Sequence, residues 1–347
     1  MIGAVGGEGS STRPPAMSDV AVLAGVSHQT VSRVLNDHPS VRPETRRRVI
    51  EAIEAIGYRR NSAARTLVTR RSETIGVVTT GSALFGPTST LIAIEEAARD
   101  SGLFVSVATV RLWDAAEVRT ALDHFMTQGI DGVVVIAPQD DALDAVRAYD
   151  ARIPVVMVGS HEVQPGRVHA VAVDQYAGAR TAVRHLLDLG HTDVAHLAGP
   201  RDWIDARERH RGWQDELASA GIAAGEPIDG DWSAERGYRV GLELAASGLP
   251  SAVFAANDQL ALGLLHAFAE GGVSVPSHVS VVGFDDVDGA AHFFPPLTTV
   301  RQDFAALGRR CLMVLRSAIA DGTVVADPII PRLVVRSSTS APSRTPS

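Results

Sequence analysis

The sequence predicts a small all-α head followed by a two-lobed α/β body built on parallel sheets. Three observations lead there. Residues 18–60 carry three short helical patterns and no alternating run. From Ile75 onward, eight short β-branched runs alternate with helical stretches, as parallel sheets covered on both faces require. Charge divides at the same place. Residues 18–71 hold 10 Arg against 5 acidic residues, net +5, whereas the part after Arg71 is net −13 within a chain of 347 residues and formal charge −8. A basic head on an acidic body implies that the head meets a polyanion and the body does not.

Composition excludes several chemistries. All 32 basic residues are Arg. A Walker-type phosphate loop, a protein kinase and a Schiff-base enzyme each need a lysine, so none of them fits. The single cysteine, Cys311, allows neither an internal disulfide nor a Cys-based zinc site, and it reads as a packed thiol. No apolar run approaches the roughly 18 residues of a spanning helix, so no membrane partner is expected. Residues 1–17 are rich in Gly and Ser, with no basic start before an apolar stretch. They read as a disordered leader and not as a secretory signal, with Met17 an alternative start and the cytoplasm the expected compartment. Residues 339–347 read as a disordered tail.

The head follows in order. Ser18 or Asp19 can cap a first helix reaching Leu23–Ala24, and Gly25 supplies a tight turn. Ser27 caps a second helix with Val31, Val34 and Leu35 inward, ended by Asn36-Asp37. The pair forms a helix-turn-helix. A third helix starts at Pro43, carries Val49, Ile50, Ile53 and Ile56 as its apolar stripe, and closes at Gly57. The second helix exposes His28, Gln29 and Arg33, and in this motif its N-terminal end enters the major groove. Arg pairs bidentately with guanine and Gln with adenine, each worth roughly 1–3 kcal/mol of discrimination. Ser27, Thr30 and Ser32 are short hydroxyl donors suited to phosphate.

The segment DVAVLAGVSHQTVSRVLN, with the third helix and YRRNSAARTL after it, closely resembles the DNA-binding head of the LacI/GalR family of transcriptional regulators. That resemblance makes Ser27, His28, Gln29, Thr30, Arg33 and Asn36 DNA contacts. It also makes residues 61–72 a hinge helix and linker, whose Asn61, Ala64 and Leu67 meet the minor groove. Leu67 falls on the family's wedge position, where an apolar side chain unstacks a base step and bends the duplex. Arg60 departs from the Pro common there.

In the body, the expected strands are TIGVVTT, LFVSVAT, DGVVVIA, IPVVMV, VHAVAV, DVAHLA, SAVFAA and VSVVGF. Expected helices include 115–128, 176–189 and 258–270. Two sets of strands within residues 73–338 suggest two lobes, with ligands held beyond the strand C-termini in the cleft between them. No G-x-G-x-x-G joins a strand to a helix, so no dinucleotide and no other cofactor is implied. Polar residues cluster at strand ends: Asp174, Asn257-Asp258 and Asp285-Asp286. Arg209, Trp232 and Gln302 complete a set suited to sugar, in which carboxylates, amides and guanidinium forks meet hydroxyls and an aromatic meets the ring's apolar face. Singly, Asn257 or Asp258 could cap a helix, Trp232 could be core and Asp286 a turn residue.

The resemblance extends over nearly the whole chain, through HLAGP, ARERHRGW, GDWSA, AANDQLALG, VSVVGFDD and PPLTTVRQDF. It implies a periplasmic-binding-protein-like effector domain. Arg209, Asn257 and Asp285 match the family's sugar-hydroxyl ligands, and Trp232 the aromatic beside the ring. Gln302 and Phe304 line the same cleft, and Leu84 and Pro87 face the aglycone. Gly159-Ser160 stands where the resemblance puts a sugar-binding Asp. The chain also lacks a leucine-repeat tetramerisation tail.

No G-x-S-x-G, H-E-x-x-H or zinc spacing occurs, and His185, His191 and His196 fall on different elements. The sequence therefore reads as a non-enzymatic homodimeric repressor of a pseudo-palindromic double-stranded operator, released by a galactoside-like sugar. The alternatives are the same regulator with a corepressor ligand, or a sugar-binding protein without a regulatory role.

Overall fold

The computed structural model describes residues 15–59, 71–81, 83–111, 113–137, 139–149, 153–159, 168–320, 322 and 326–343. It divides into two compact units, one through Ser72 and one from Glu73.

The described residues of the first unit form three helices: α1 (Met17–Ala24), α2 (His28–Leu35) and α3 (Pro43–Ile56). Val20, Val31, Val49 and Tyr58 close its core with Ala21, Ala24, Val34 and Ala52. The expected leader through residue 17 is corrected here, because Met17 is already helical. Asp19 is not the cap itself. It occupies the third helical position, and its carboxylate reaches back to accept the Ala16 N–H at 2.8 Å, so the helix begins earlier than a simple cap at Ser18 or Asp19 allows. Ser27 does cap α2, its hydroxyl accepting from the Thr30 N–H at 3.2 Å. The α3 stripe is only partly inward: Val49 and Ala52 are buried, while Ile50 is 44% exposed. A three-helix unit of this size covers one narrow strip of its longest helix, and Ile50 lies outside it.

The described residues of the second unit form two five-stranded sheets. The first has order β2-β1-β3-β4-β5, with β1 (Thr74–Thr80), β2 (Phe104–Val110), β3 (Gly132–Ile136), β4 (Val155–Val158) and β5 (Val168–Val171), all parallel. Helices α4 (Phe85–Asp100), α5 (Ala115–Gln128) and α6 (Asp140–Arg147) belong to this N-lobe. The second sheet has order β10-β9-β8-β7-β6, with β6 (Val194–Leu197), β7 (Ala252–Ala255), β8 (Ser280–Asp285), β9 (Thr298–Arg301) and an antiparallel β10 (Arg332–Val334). Its helices are α7 (Gln175–Asp188), α8 (Ile204–Ser219), α9 (Ala234–Ser247) and α10 (Asp258–Glu270). The chain passes from β9 to α11 (Phe304–Ile319), which packs with the first sheet and α4, and then returns to β10.

The eight strand segments read from the sequence all form strands. β9 and β10 were not among them. Thr298 and Thr299 of β9 are fully buried although polar, so β9 lacks the apolar signature of a core strand. The expected tail from residue 339 is also corrected. The Thr339 hydroxyl lies 3.2 Å from that of Thr298, and the Ser340 N–H donates to the Ser280 hydroxyl at 3.1 Å, so the chain stays attached to β8 and β9 past Ser338. Helices α9 and α10 cross closely. A side chain at Gly263 would stand 2.0 Å from the Ala234 carbonyl and 2.4 Å from the Tyr238 N–H. No described helix is long and apolar enough to cross a membrane.

Candidate functional site

In the first unit, His28, Gln29, Arg33 and Asn36 are exposed, and Thr30 is half-buried. Val31 and Val34 hold the opposite face of α2 in the core. Gln29 and Arg33 are four residues apart and so share one face. Arg33 stands in the last turn of this short helix, not at its N-terminal end. Ser27 and Thr30 share a hydroxyl contact of 2.9 Å, and Asn36 ends the helix. Arg46 pairs with Asp37 and donates to the His38 carbonyl at 3.0 Å, which ties α3 to the turn after α2. Asn61, Ala64 and Leu67 lie outside the described residues.

The second unit carries a cleft of about 700 Å³, its open mouth included, between the two lobes. Leu84, Arg209, Trp232, Asn257, Asp285, Gln302 and Phe304 all line it, as does Pro87. Its C-lobe side is a closed ring of polar contacts. Arg209 Nε donates to Gln175 Oε1 at 2.9 Å, Gln175 Nε2 to Gln302 Oε1 at 2.9 Å, and Gln302 Nε2 to Asp285 Oδ1 at 2.7 Å. Asp285 Oδ1 faces Arg209 Nη2 at 3.5 Å and closes the ring. Arg209 Nη1 also donates to the Ala256 carbonyl at 2.5 Å. The guanidinium lies 3.8 Å over the Phe284 ring, so a packed face holds it flat. All four ring members are more than nine-tenths buried.

Burial pushes the Asp285 carboxyl up to about 6, with Arg209 and the Gln302 amide pulling it down and Asp205 pushing it further up. Asp258, behind the cleft wall, is raised to about 8 by burial and by the Asp285 charge; its carboxylate accepts from the Thr299 hydroxyl and the Val287 N–H. The adjacent carboxylates diverge: Asp286 turns away to pair with Arg301 and Arg336.

Trp232 is both core and lining. Its ring end packs where a side chain at Gly199 would come within 2.2 Å, its edge meets Trp203 at 5.5 Å, and its indole N–H is buried with no hydrogen-bond partner. A buried orphan donor beside a cleft invites an explanation. Asn257 caps α10, accepting the Leu260 N–H at 2.8 Å, and donates to the Trp232 carbonyl at 3.1 Å, which leaves one amide hydrogen uncommitted. Trp232 and Asp285 hold positive φ, 71° and 113°, a strained backbone that clusters at working sites. Asp174 does not join the cleft; it caps α7 through the Ala177 N–H at 2.8 Å.

On the N-lobe side, Phe85 and Phe304 meet edge to face at 5.7 Å beside Leu84, Pro87, Ile136 and Val158. Sequence reasoning missed Gln175, Trp203, Asp205 and Thr90, which line the same cleft. None of the four stands in a motif of its own; Asp205 lies one helical turn before Arg209. Among the described residues, no group of three or more His, Cys, Asp and Glu is placed to hold a metal ion. The cleft can enclose a polyhydroxylated molecule, polar on one side and apolar on the other.

A helix-turn-helix unit joined to a two-lobed, ligand-cleft unit defines a DNA-binding regulator that answers a small molecule. Family models agree. Residues 16–61 match bacterial regulatory proteins of the lacI family, and residues 183–339 match the periplasmic binding protein-like domain. The chain is 34% identical over 334 residues to the lactose operon repressor of Escherichia coli (strain K12), covering 95% of this chain and 92% of that protein. It is 34% identical over 321 residues to the transcriptional regulator CelR of Thermobifida fusca, covering 90% and 94%. The lac repressor dimer bound to operator and the anti-inducer ONPF superposes with a TM-score of 0.82 at 33% identity, covering 95% of this chain and 100% of that one. This chain belongs to the lacI family of bacterial regulatory proteins, and its described fold is theirs.

Proposed function

We propose that this protein is a homodimeric repressor whose affinity for a pseudo-palindromic operator falls when a galactoside-like sugar enters the interlobe cleft. The observation that carries the reading is the convergence of seven residues, distant in sequence, on one amphipathic cleft. Arg209, Asn257, Asp285 and Gln302 address sugar hydroxyls, Trp232 covers the apolar ring face, and Leu84 and Phe304 receive the aglycone. Support comes also from a relative captured as a dimer on operator, and from the CelR–cellobiose complex, which superposes with a TM-score of 0.68 at 31% identity, covering 93% of this chain and 99% of that one.

On DNA, Gln29 and Arg33 read base edges while Ser27, Thr30 and the all-Arg surface hold phosphates, and dimer symmetry sets operator symmetry. Leu67 is the minor-groove wedge. A sugar that touches both lobes favours one lobe arrangement, and the N-lobe, which the hinge enters near Ser72, transmits it. The effect on DNA is bounded by the sugar's differential affinity for the two states.

A thermal-shift screen of sugars against the purified full chain tests the reading. A galactoside at about a hundred times its Kd adds about 2.7 kcal/mol to the folded state. A rise with galactosides supports the assignment. A rise with no galactoside, while a ligand of another class does raise the melting temperature, overturns it.

A further inference from the structure

Two members of the polar ring stand where the chain crosses between the lobes. Gln175 opens α7, soon after β5 leaves the first sheet, and Gln302 lies between β9 and α11. The first crossing is tied to the returning one: the Asp174 N–H donates to the Ile329 carbonyl at 2.9 Å, and the Ile329 N–H to the Ala172 carbonyl at 2.9 Å. The buried Gln175 side chain therefore enters the ring from a fixed backbone. Arg209 and Asp285 belong to α8 and β8 of the second lobe.

Chemistry sets the direction of each bond in the ring. A guanidinium has donors and no acceptor. Gln175 must turn Oε1 to Arg209 Nε, which leaves its amide nitrogen for Gln302. Gln302 must then turn Oε1 to Gln175, which leaves its own amide nitrogen for Asp285. One arm thus runs from Arg209 through Gln175 and Gln302 to Asp285, and the other passes straight from Arg209 to Asp285. Both arms end on the same carboxylate oxygen, Oδ1. Chained hydrogen bonds polarise one another, so the longer arm carries part of the cation's pull to Asp285. Asp205 on α8 pushes against that pull, Asp258 on α10 is itself raised by Asp285, and Asp286 is turned to Arg301 and Arg336.

We propose that Gln175 is a positioning residue of the cleft: its amide fixes the direction of the Gln302 amide, so that Asp285 meets the ligand as a carboxylate. This rests on the cleft being the sugar site, and adds to it a residue that acts through Gln302.

Gln175→Glu inverts the longer arm. The new carboxylate accepts from Arg209 and from Gln302, whose amide turns its oxygen towards Asp285, and Asp285 keeps its proton to higher pH. The test follows the Asp285 carboxyl in the ligand-free full chain by carbon-13 NMR of aspartate-labelled protein, assigned with Asp285→Asn. Wild type titrates at about pH 6. Gln175→Glu raises that midpoint by about one pH unit or more. Gln175→Met, uncharged and similar in size, raises it less. With Gln302→Leu already in place, Gln175→Glu moves the midpoint by no more than about half as much, because the arm is cut. A wild-type midpoint in both Gln175 variants overturns the role of Gln175. So does an equal rise in the Gln302→Leu background, which a charge acting through space would give. Methyl β-galactoside is then titrated against the emission of Trp203 and Trp232, which line the cleft. Wild type binds it, and at about pH 7 Gln175→Glu binds it about tenfold or more weakly, with the loss shrinking as pH rises. Wild-type affinity in Gln175→Glu at that pH overturns the role of Gln175 alone. No binding by folded wild type overturns the galactoside reading beneath it, whatever the carboxyl titration gives.

Discussion

Arg209→Ala removes the keystone of the cleft. The guanidinium satisfies Gln175 Oε1 at 2.9 Å, the Ala256 carbonyl at 2.5 Å and the Asp285 carboxylate at 3.5 Å, all buried. Breaking a buried ion pair by deleting one partner costs about 3–5 kcal/mol. For a body of this size each kcal/mol moves Tm by roughly 2–4 °C, so a fall of about 6–20 °C is expected. The deficit depends on pH in a fixed direction. Asp285 is already raised to about 6 by burial, and Arg209 is the largest influence holding it down, so its loss lifts the carboxyl further. A carboxyl raised in the folded state lowers stability as pH climbs from its unfolded value through its folded one. At pH 5 Asp285 is protonated in both folded proteins and the deficit is at its smaller; by pH 8 folded wild type has released that proton, whereas the variant, its carboxyl raised further, holds it longer, and the deficit is larger. Urea unfolding of wild type and variant at both pH values measures this. A deficit below about 1 kcal/mol, or one equal at pH 5 and pH 8, refutes the reasoning.

Arg33→Ala is expected to weaken specific operator binding by about 1–3 kcal/mol, roughly five- to more than a hundredfold, while the sugar-induced thermal shift stays intact; fluorescence anisotropy on a selected duplex reads the first and a melting curve the second. Leu67→Ala should reduce DNA bending, seen as a smaller change in energy transfer between the ends of a labelled duplex, and an unchanged bend would remove the wedge role. Gly263→Ala pushes a methyl into the backbone of α9, and overpacking of that kind costs about 1–3 kcal/mol, so its urea midpoint should fall without a change in sugar affinity.

Much of this architecture is legible in the sequence. Strand-helix alternation located eight strands because β-branched runs bounded by turns have few other uses. β9 escaped because its polar residues, Thr298 and Thr299 above all, are buried by neighbours remote in sequence, and β10 because it is a three-residue, partly exposed strand at the sheet edge. The cleft residues were legible through motifs that fix register, at Arg209 in ARERHRGW or Asn257 in AANDQLALG. Asp205 and Gln175 were not, because a carboxylate or amide in a first helical turn looks like end-of-helix chemistry until the lobes show which face meets the cleft. Asn257 is a cap and a lining residue at once, so one residue satisfies both readings that its place at a strand end allows. Ile50 shows the opposite limit, since periodicity finds a stripe but not how much of it a small head can cover.

The central claim is a coupling between the cleft and DNA. It is tested most directly by measuring affinity for a selected pseudo-palindromic duplex, with and without a saturating sugar found in the thermal screen, in wild type and in Arg209→Ala. Wild-type affinity is expected to fall on adding sugar, and the variant, where it binds DNA, to be indifferent to it. An affinity that rises with sugar, or one that does not change while the sugar is demonstrably bound, contradicts it.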